Sequence, residues 1–493
     1  MLRGKSGLVL SGDAGKRCRL NAVRVVRKEA PQHYHGGKKN FCKKNKSSLK
    51  KTEAGMQSEG AGSMHMNFTT LDTAYILIVL LIMLASAHAM GFLFQRLKQP
   101  VVVGEILAGI ILGPTVIGHF FPEVSATLFG NNTITKTVLA ALSQLGLIFL
   151  MFASGLEIRT LFKKDEFSTS IYISTIGCIF PFAAGALYLH FFDQSANYGP
   201  AANSTAFLII FCSSIAVTSI PVISRIFIDL GLIETKFART VLSSAILEDI
   251  ALYVVMGIAL GLVSQQADHG APILSALGLH FDSVGLFIYH FIIHVTFVLF
   301  SLIGAPKIFI ALSRSRWNLI ARKSPVGYLL VTLFIVTVLG AMFGISLMFS
   351  AFCAGFIISS SGELFASDSA LMKKNAFGLS IPIYFCMVGY KLDLLRHFHV
   401  AEFLALFVFA CTAKALSVYA AARIAKEGHR KSVHLAICMN ARGGPGIVLA
   451  SVAMQAQIIN DSFYVSLVLL ALFTSMGAGS WLERALGKGE TFT

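Results

Sequence analysis

Two adjacent acidic residues, Glu248 and Asp249, lie near the middle of a segment that is otherwise almost entirely apolar. The segment, residues 236–263, is long enough to cross a lipid bilayer as a helix. Placing a carboxylate in hydrocarbon costs at least ~2.5 kcal/mol, so the pair needs cations, protons or basic neighbours. Intramembrane acids usually serve a function, and this pair predicts ion or proton binding. The alternative is a pair in a water-filled vestibule, or one tied to a basic side chain purely for assembly.

The composition places the chain among membrane proteins. Of its 493 residues, 55% are hydrophobic and only 13% are charged, and the mean hydropathy is +0.71. A soluble protein carries about 25% charged residues. The apolar residues fall in blocks of about 20, the length that crosses the hydrocarbon core as a helix. The chain is therefore predicted to be an all-α polytopic membrane protein.

The cysteines do not indicate a metal site or a disulfide framework. None of the eight forms a Cys-x-x-Cys motif, and six lie inside apolar spans, where a free cysteine behaves as a small hydrophobic residue. We therefore predict no such site and no cofactor.

About thirteen membrane spans are predicted from Thr70 onward. Their approximate limits are residues 72–95, 99–118, 136–157, 168–191, 205–228, 236–263, 284–306, 325–343, 345–361, 375–394, 400–423, 431–457 and 462–482. One set of alternate loops holds 21 Lys and Arg, and the other holds three. By the positive-inside rule, this split places the C-terminus in the cytoplasm and the start of the first span outside. The sequence does not identify the membrane, and the plasma membrane is the favoured location.

Residues 1–66 differ from the rest of the chain. They hold 15 Lys and Arg against four acidic residues and lack sustained apolar periodicity, which predicts a basic, disordered extension. Such a tail could bind anionic lipid or nucleic acid. The predicted topology places it outside, however, which favours a start at Met64 or Met66 and no nucleic-acid partner. Residues 67–493 are predicted to form the transmembrane domain.

Two basic residues, Lys414 and Arg442, also lie inside predicted spans. Either would cost several kcal/mol if it were unpaired at this depth. Lys414 is more than two helical turns from either predicted end of its span, so we expect it to pair with Glu248 or Asp249. Arg442 lies near a helix break, where it either contacts the acid pair or caps exposed carbonyl groups.

Two predicted spans contain residues that break helices. The fifth reads FCSSIAVTSIPVISRIF and the twelfth reads MNARGGPGIV. Proline removes a helical N–H group and paired glycines loosen the backbone, so both helices should unwind where protein or a water-filled cavity surrounds them. The residues expected at the breaks are Thr218, Ser219 and Pro221 in the fifth span and Asn440, Gly443 and Gly444 in the twelfth.

The two broken spans occupy corresponding places in two halves of the chain, which is the best sequence indication of a transporter's binding site. Spans four to six match spans eleven to thirteen with an offset of seven. Because seven is odd, matched spans cross the membrane in opposite directions. The sequence therefore predicts inverted repeats and two broken helices that cross.

The expected site can bind both a proton and a small cation. Carbonyl groups freed near Thr218, together with Asp249 and Glu248, supply the hard oxygen ligands that suit such a cation. Asp249 is the predicted ligand of the transported monovalent ion. Neighbouring carboxylates cannot easily both stay charged, so a proton competes with the cation for the same oxygens.

From about Thr70 to its end, the chain resembles the monovalent cation:proton antiporter-2 family. The resemblance rests on QPVVVGEILAGIILGPTVIG at 99–118, LGLIFLMFASGLEI at 145–158, VGYKLDL at 388–394, TSIP at 218–221, the acid pair, Lys414 and NARGG at 440–444. Two further acids, Glu105 and Glu157, belong to these motifs. We expect Glu105 to be structural and Glu157 to be solvated near a helix end.

The resemblance implies a homodimer with a panel domain for dimerisation and a mobile six-helix core that carries the ion. It also implies that Asp249 binds the ion, that Lys414 pairs with the acid before it, and that Thr218 lies near the ion. Glu248 departs from the family, which has Asp, Asn or Gln there, so its pairing and the stoichiometry stay open. The potassium-efflux branch usually adds a cytoplasmic nucleotide-binding domain, which we do not expect in this chain.

The sequence therefore predicts a secondary antiporter, not an enzyme, that exchanges Na⁺ or K⁺ for H⁺ by alternating access. The alternatives are a cation channel that uses the same acid pair as a filter or gate, and a membrane sensor that does not transport. The paired helix breaks favour the transporter. Oxygen ligands serve Na⁺, K⁺ and Li⁺ alike, so the sequence does not choose the ion.

Overall fold

The computed structural model describes residues 69–97, 99–130, 133–157, 167–264, 272–276 and 283–490. These residues are almost entirely helical, and the β contact found among them is an isolated antiparallel bridge between Tyr198 and Ile459. The predicted all-α class is confirmed. The predicted extension, residues 1–66, lies outside the described residues and stays a prediction.

The helices follow one another with short connections, and several long segments are divided in two. The first half comprises α1 (Thr70–Arg96), α2 (Val101–Leu112), α3 (Ile117–Phe120), α4 (Pro122–Ser125), α5 (Thr133–Glu157), α6 (Phe167–Phe191), α7 (Ser204–Ala216), α8 (Ile220–Asp229), α9 (Lys236–Ser264), α10 (Pro272–Ala276) and α11 (Ser283–Leu299). The second half comprises α12 (Ala305–Arg314), α13 (Leu319–Lys323), α14 (Pro325–Met342), α15 (Leu347–Ser359), α16 (Ala366–Gly378), α17 (Ser380–Tyr390), α18 (Leu394–His397), α19 (Val400–Ile424), α20 (His429–Cys438), α21 (Gly443–Gln455) and α22 (Asp461–Gly487).

Ten helical segments in the described part of the chain are long and apolar enough to cross a membrane. Two shorter apolar helices, α7 and α15, accompany them. The helix α7 continues into α8 across a break, and the two together occupy the predicted fifth span. A multi-pass helical membrane protein is thus confirmed, while the count of thirteen spans stays a prediction.

The helices differ in how far protein surrounds them. Only 28% of the most apolar window of α1 is buried, and α1 exposes Leu77, Leu81 and Phe92. For the segment that contains α20 and α21, the buried share is 94%. Lipid tails are as apolar as leucine, so α1 can face the bilayer, whereas a segment with unwound backbone must lie inside protein.

The packing of the helices follows the predicted repeat. In one group α2 packs on α17 and α5 packs on α15, and in the other α6 packs on α7 and α19 packs on α20. The predicted offset of seven spans matches α2 with α15, α5 with α17, α6 with α19, and α7 with α20. When each helix is replaced by its match, the first contact of each group becomes the second. The helices α6 and α19, which begin the two matched triplets, pack on each other. These contacts have the pattern that an inverted repeat requires.

The crossing of α5 with α15 depends on two glycines. A Cβ atom at Gly155 would collide with the carbonyl oxygen of Phe352, and one at Gly355 would collide with that of Phe152. Small residues let helix backbones approach closely, and in lipid such van der Waals packing is a main source of helix association. The two glycines therefore set the distance between α5 and α15.

Gly155→Ala should lower the thermal unfolding midpoint of the purified protein. The added methyl group forces α5 and α15 apart, at a cost of about 1–3 kcal/mol. Gly378→Ala is the matched control, because a Cβ atom at Gly378 meets no other atom within 4 Å. Equal midpoints for the two variants would contradict the close approach of α5 and α15.

Candidate ion-binding site

The first helix break lies between α7 and α8. The helix α7 ends at Ala216, Val217 is extended, and α8 begins at Ile220. Pro221 falls in the first turn of α8, where the missing N–H group of a proline has no helical partner to lose. The backbone therefore unwinds before the proline and not around it.

The second break lies between α20, which ends at Cys438, and α21, which begins at Gly443. Gly443 has a φ of +30°, in the region that favours glycine. A Cβ atom at Gly443 would also collide with the side chain of Val222 on α8. Glycine at this position thus lets the two broken segments approach each other.

The two breaks cross and hydrogen-bond to each other. The Thr218 hydroxyl donates to the carbonyl oxygen of Met439 at 2.6 Å, and the Ser219 N–H donates to that of Ala441 at 2.6 Å. The Ser219 hydroxyl oxygen accepts from the Gly444 N–H at 3.2 Å. Unwound backbone is tolerated at membrane depth only when its polar groups find partners, and here each break supplies partners for the other.

Arg442, which is 1% exposed, caps the end of α7. Its guanidinium donates to the carbonyl oxygens of Ser214 and Ile215, both at 3.0 Å, and to that of Ala410 at 2.9 Å. It also donates to the backbone and side-chain oxygens of Asn440, both at 3.1 Å. The last carbonyl groups of a helix carry partial negative charge, so a buried cation stabilises them.

Lys414 and Glu248 form a buried ion pair. The distance from Lys414 Nζ to Glu248 Oε1 is 2.8 Å, and the two side chains are 0% and 1% exposed. The ammonium also donates to the carbonyl oxygens of Gly177 at 2.8 Å and Ala216 at 2.6 Å. All three donors of the ammonium are therefore used: one bonds the carboxylate and another caps α7.

Asp249 differs from its neighbour. It is fully buried, and both of its carboxylate oxygens lack a hydrogen-bond partner among the described residues. Consecutive residues of a helix point about 100° apart, so the two acids face different surroundings. A carboxylate that is buried without a partner is costly as an anion, by several kcal/mol, and becomes stable when it takes up a proton or a cation. Asp249 therefore offers two oxygen ligands to either.

The structure gathers most of the predicted site residues at the end of α7. Thr218 lies beside Glu248, which Lys414 neutralises. Arg442 shares the same helix end, but none of its hydrogen bonds among the described residues reaches Glu248 or Asp249. Of the two alternatives for Arg442, its contacts therefore support capping.

Two acids of the recognised motifs lie elsewhere. Glu105 is 5% exposed on α2, which belongs to the other group of helices. Glu157, at the end of α5, forms an ion pair with Lys373 of α16. The Glu157 side chain is 23% exposed, so it is only partly solvated, and Lys373 supplies the ion-pair partner that the sequence did not indicate.

Sequence reasoning missed two kinds of residue. His290 and His294 of α11 are 3% and 0% exposed and pack against Gly257 and Gly261 of α9, the helix that carries the acids. The signal was present, because histidines four residues apart share one face of a helix and polar residues in a span usually face protein. Gly177, which holds Lys414 through its carbonyl oxygen, left no signal, since any residue type has that group.

Comparison with known proteins bears on the class of the site. A family model described as "Sodium/hydrogen exchanger, transmembrane" matches residues 78–488. The chain is 28% identical to cation/H(+) antiporter 18 of Arabidopsis thaliana, over 82% of this chain and 48% of that protein. It is 27% identical to the Na(+)/H(+) antiporter NhaS4 of Synechocystis sp., over 82% of this chain and 96% of that protein. It is 25% identical to K(+)/H(+) antiporter 1 of Saccharomyces cerevisiae, over 84% of this chain and 47% of that protein.

The lengths of these proteins differ. The chain spans about half the length of the plant and yeast relatives, and nearly the full length of the cyanobacterial one. Among solved structures, the sodium proton antiporter MjNhaP1 from Methanocaldococcus jannaschii has a TM-score of 0.59 at 15% identity, with 84% of this chain and 97% of that chain covered. That likeness shows a shared fold.

Arg442→Leu should lower the thermal unfolding midpoint strongly. It leaves the buried carbonyl groups of Ser214 and Ile215, at the end of α7, without this donor, at about 1–3 kcal/mol for each. Arg442→Lys should be intermediate, because an ammonium keeps the charge but not the planar fork of donors. The control is Arg316→Leu, at an exposed position. A midpoint for Arg442→Leu equal to that of the control would exclude a capping role.

Proposed function

The chain belongs to the sodium/hydrogen exchanger transmembrane family, and from this we propose that it exchanges a monovalent cation, Na⁺ or K⁺, for protons across a membrane. Named relatives include antiporters of Na⁺ and of K⁺ with H⁺. The observation that carries the proposal is Asp249, a fully buried carboxylate whose two oxygens have no hydrogen-bond partner in the described residues. If such a carboxylate binds a proton on one side of the membrane and a cation on the other, the result is exchange of the two ions.

Asp249 is the shared binding group in this proposal. A proton or a monovalent cation each cancels the charge of the carboxylate, whereas the bare anion is the costly state. Movement of the site across the membrane without cargo is therefore disfavoured. That cost couples the two fluxes, because the site must leave one side with one cargo and return with the other.

Glu248 and Lys414 act as a fixed pair beside the exchanging group. Their 2.8 Å contact lets both stay charged while the net charge of the pair is zero. Lys414 and Arg442 also stabilise the partial negative end of α7. The crossing formed by Thr218, Ser219, Asn440, Gly443 and Gly444 holds the two broken helices together beside these side chains. An intact pair favours an equal exchange of cation for proton at Asp249.

Alternating access is the transport mode that the burial supports. Glu248 is 2% exposed and Asp249 is 0% exposed, and the cavity that Glu248 lines has a volume of only about 30 Å³, so no wide water-filled path reaches the acids in this conformation. A channel would need a continuous wet path through them, and a sensor would not need a free carboxylate. Neither alternative is favoured.

We also propose the setting in which the exchanger works. The 21 basic residues in one set of loops against three in the other support a cytoplasmic C-terminus, and the plasma membrane is the favoured location. The resemblance to a family with a panel domain supports a homodimer. Residues 67–493 form the transmembrane domain and residues 1–66 a basic extension. The exchange needs no cofactor beyond the transported ions, and no nucleic acid takes part.

Asp249→Asn should reduce exchange to the level of vesicles without protein, because an amide neither releases a proton nor carries the charge that holds a cation. The measurement is the pH-dye signal of proteoliposomes after addition of Na⁺ or K⁺. Asp461→Asn, at an exposed position on α22, is the matched control and should exchange normally. Normal exchange by Asp249→Asn would end the proposal, and so would a cation conductance far above carrier turnover.

The paired variant Glu248→Gln/Lys414→Met should keep exchange, because Asp249 remains. Each single change leaves one buried charge alone, which costs about 3–5 kcal/mol, whereas removal of both leaves none. The double variant should therefore unfold at a higher temperature than either single variant.

Lys414→Ala should alter the pH profile of exchange more than it abolishes exchange. A double variant as inactive as Asp249→Asn would place the pair in the exchange step itself.

A further inference from the structure

A cleft opens at the protein surface beside the second helix break. It has a volume of about 410 Å³ and lies between α19, α20 and α22. Phe407, Phe473 and Trp481 contribute apolar walls, and Asn440 lines it at the break. Phe473 is 48% exposed and Trp481 is 41% exposed, so the cleft is open at the protein surface.

The open side of the cleft lies along helices that are apolar enough to cross a membrane, so in a bilayer it would face hydrocarbon. Both α19 and α22 are apolar enough to cross the membrane, and the residues in question lie within these helices. Water in an apolar cleft at this depth would lose most of its hydrogen bonds. An acyl chain loses nothing there, because it exchanges contact with other chains for contact with apolar side chains. The cleft is therefore suited to a lipid tail.

Basic residues lie at one end of the cleft. Residues seven apart share a face of a helix, so Arg430 lies two turns beyond Ile437 on α20, and Lys488 lies two turns beyond Trp481 at the end of α22. Arg430 and Lys488 are exposed and have no ion pair among the described residues. Both stand where α22 ends and α20 begins.

The surroundings of Arg430 and Lys488 are positive. Residues 423–431 and 483–490 hold six Lys and Arg against three Glu. Two of these glutamates are already paired: Glu427 with Lys431 at 3.0 Å, and Glu490 with His434. An apolar cleft with unneutralised cations at one end matches a molecule that has an apolar chain and an anionic head.

We propose that the cleft binds one anionic phospholipid. Its acyl chain lies between α19, α20 and α22, and its phosphate group lies near Arg430 and Lys488. The acyl chain of the lipid then contacts Asn440. The side-chain amide of Asn440 donates to the carbonyl oxygens of Cys411 and Ala436, both at 3.2 Å. The lipid thus touches the connection that leads to Arg442. This binding does not depend on the proposed ion exchange and is tested without it.

The first test compares lipids by native mass spectrometry of the detergent-purified full chain. Phosphatidylglycerol and phosphatidylcholine with identical chains are offered in equal amounts, and one phosphatidylglycerol should be retained in preference. Arg430→Gln/Lys488→Gln should reduce that preference by about fivefold for each residue, since a basic residue near an anionic headgroup contributes about 1 kcal/mol. Lys374→Gln, exposed on α16 away from the cleft, is the control for charge and should not change it.

The second test fills the cleft. A Cβ atom at Gly477, which lines the cleft, meets no other atom within 4 Å, so Gly477→Phe can direct its ring into the space. This variant should lose the bound lipid, whereas Gly378→Phe, at an equally open glycine outside the cleft, should keep it. Equal retention of both lipids by the unaltered chain would overturn the proposal. Retention of the lipid by Gly477→Phe would also overturn it. So would a purified dimer that Gly477→Phe converts to a monomer, because the cleft would then be occupied by a second copy of the chain.

Discussion

A carboxylate enclosed by protein is the constraint on which the rest of the structure depends. Charge in low-dielectric surroundings needs a partner far more than charge in water does. Glu248 is paired with Lys414, while Asp249, the next residue, has no hydrogen-bond partner among the described residues. Two neighbours of the same chemistry thus have different surroundings, and from these we propose different roles for them. Only the second can change its partner without leaving another charge unpaired.

The broken helices explain how so much polar material is held at membrane depth. The end of α7 is stabilised by two cations, Lys414 at Ala216 and Arg442 at Ser214 and Ile215. The unwound segments then bond to each other at the crossing. Inverted repeats bring the two breaks together, since the contacts of one half return in the other with an offset of seven spans. Fold and site therefore have a common origin in the repeat.

Residue types were enough to predict the class, both breaks and the acid pair. Charges, prolines and paired glycines are unfavourable in a span that faces lipid, so each one marks a place where protein surrounds the helix. Residue types were not enough to place the unwinding before Pro221, or to separate capping from acid contact for Arg442. The first outcome depends on where α8 begins, and the second depends on which carbonyl groups lie near the Arg442 side chain. Residue types alone give neither. The cleft by Asn440 was not foreseen either, because residues from three separate helices create it.

The most direct measurement of the central claim counts protons released when a cation binds. Isothermal titration calorimetry of the purified chain, in two buffers of different ionisation enthalpy, separates proton release from the heat of binding. Competition at Asp249 predicts about one proton released for each Na⁺ or K⁺ bound, and weaker binding as the pH falls. Cation binding that releases no proton, with an affinity that does not change with pH, would contradict the account.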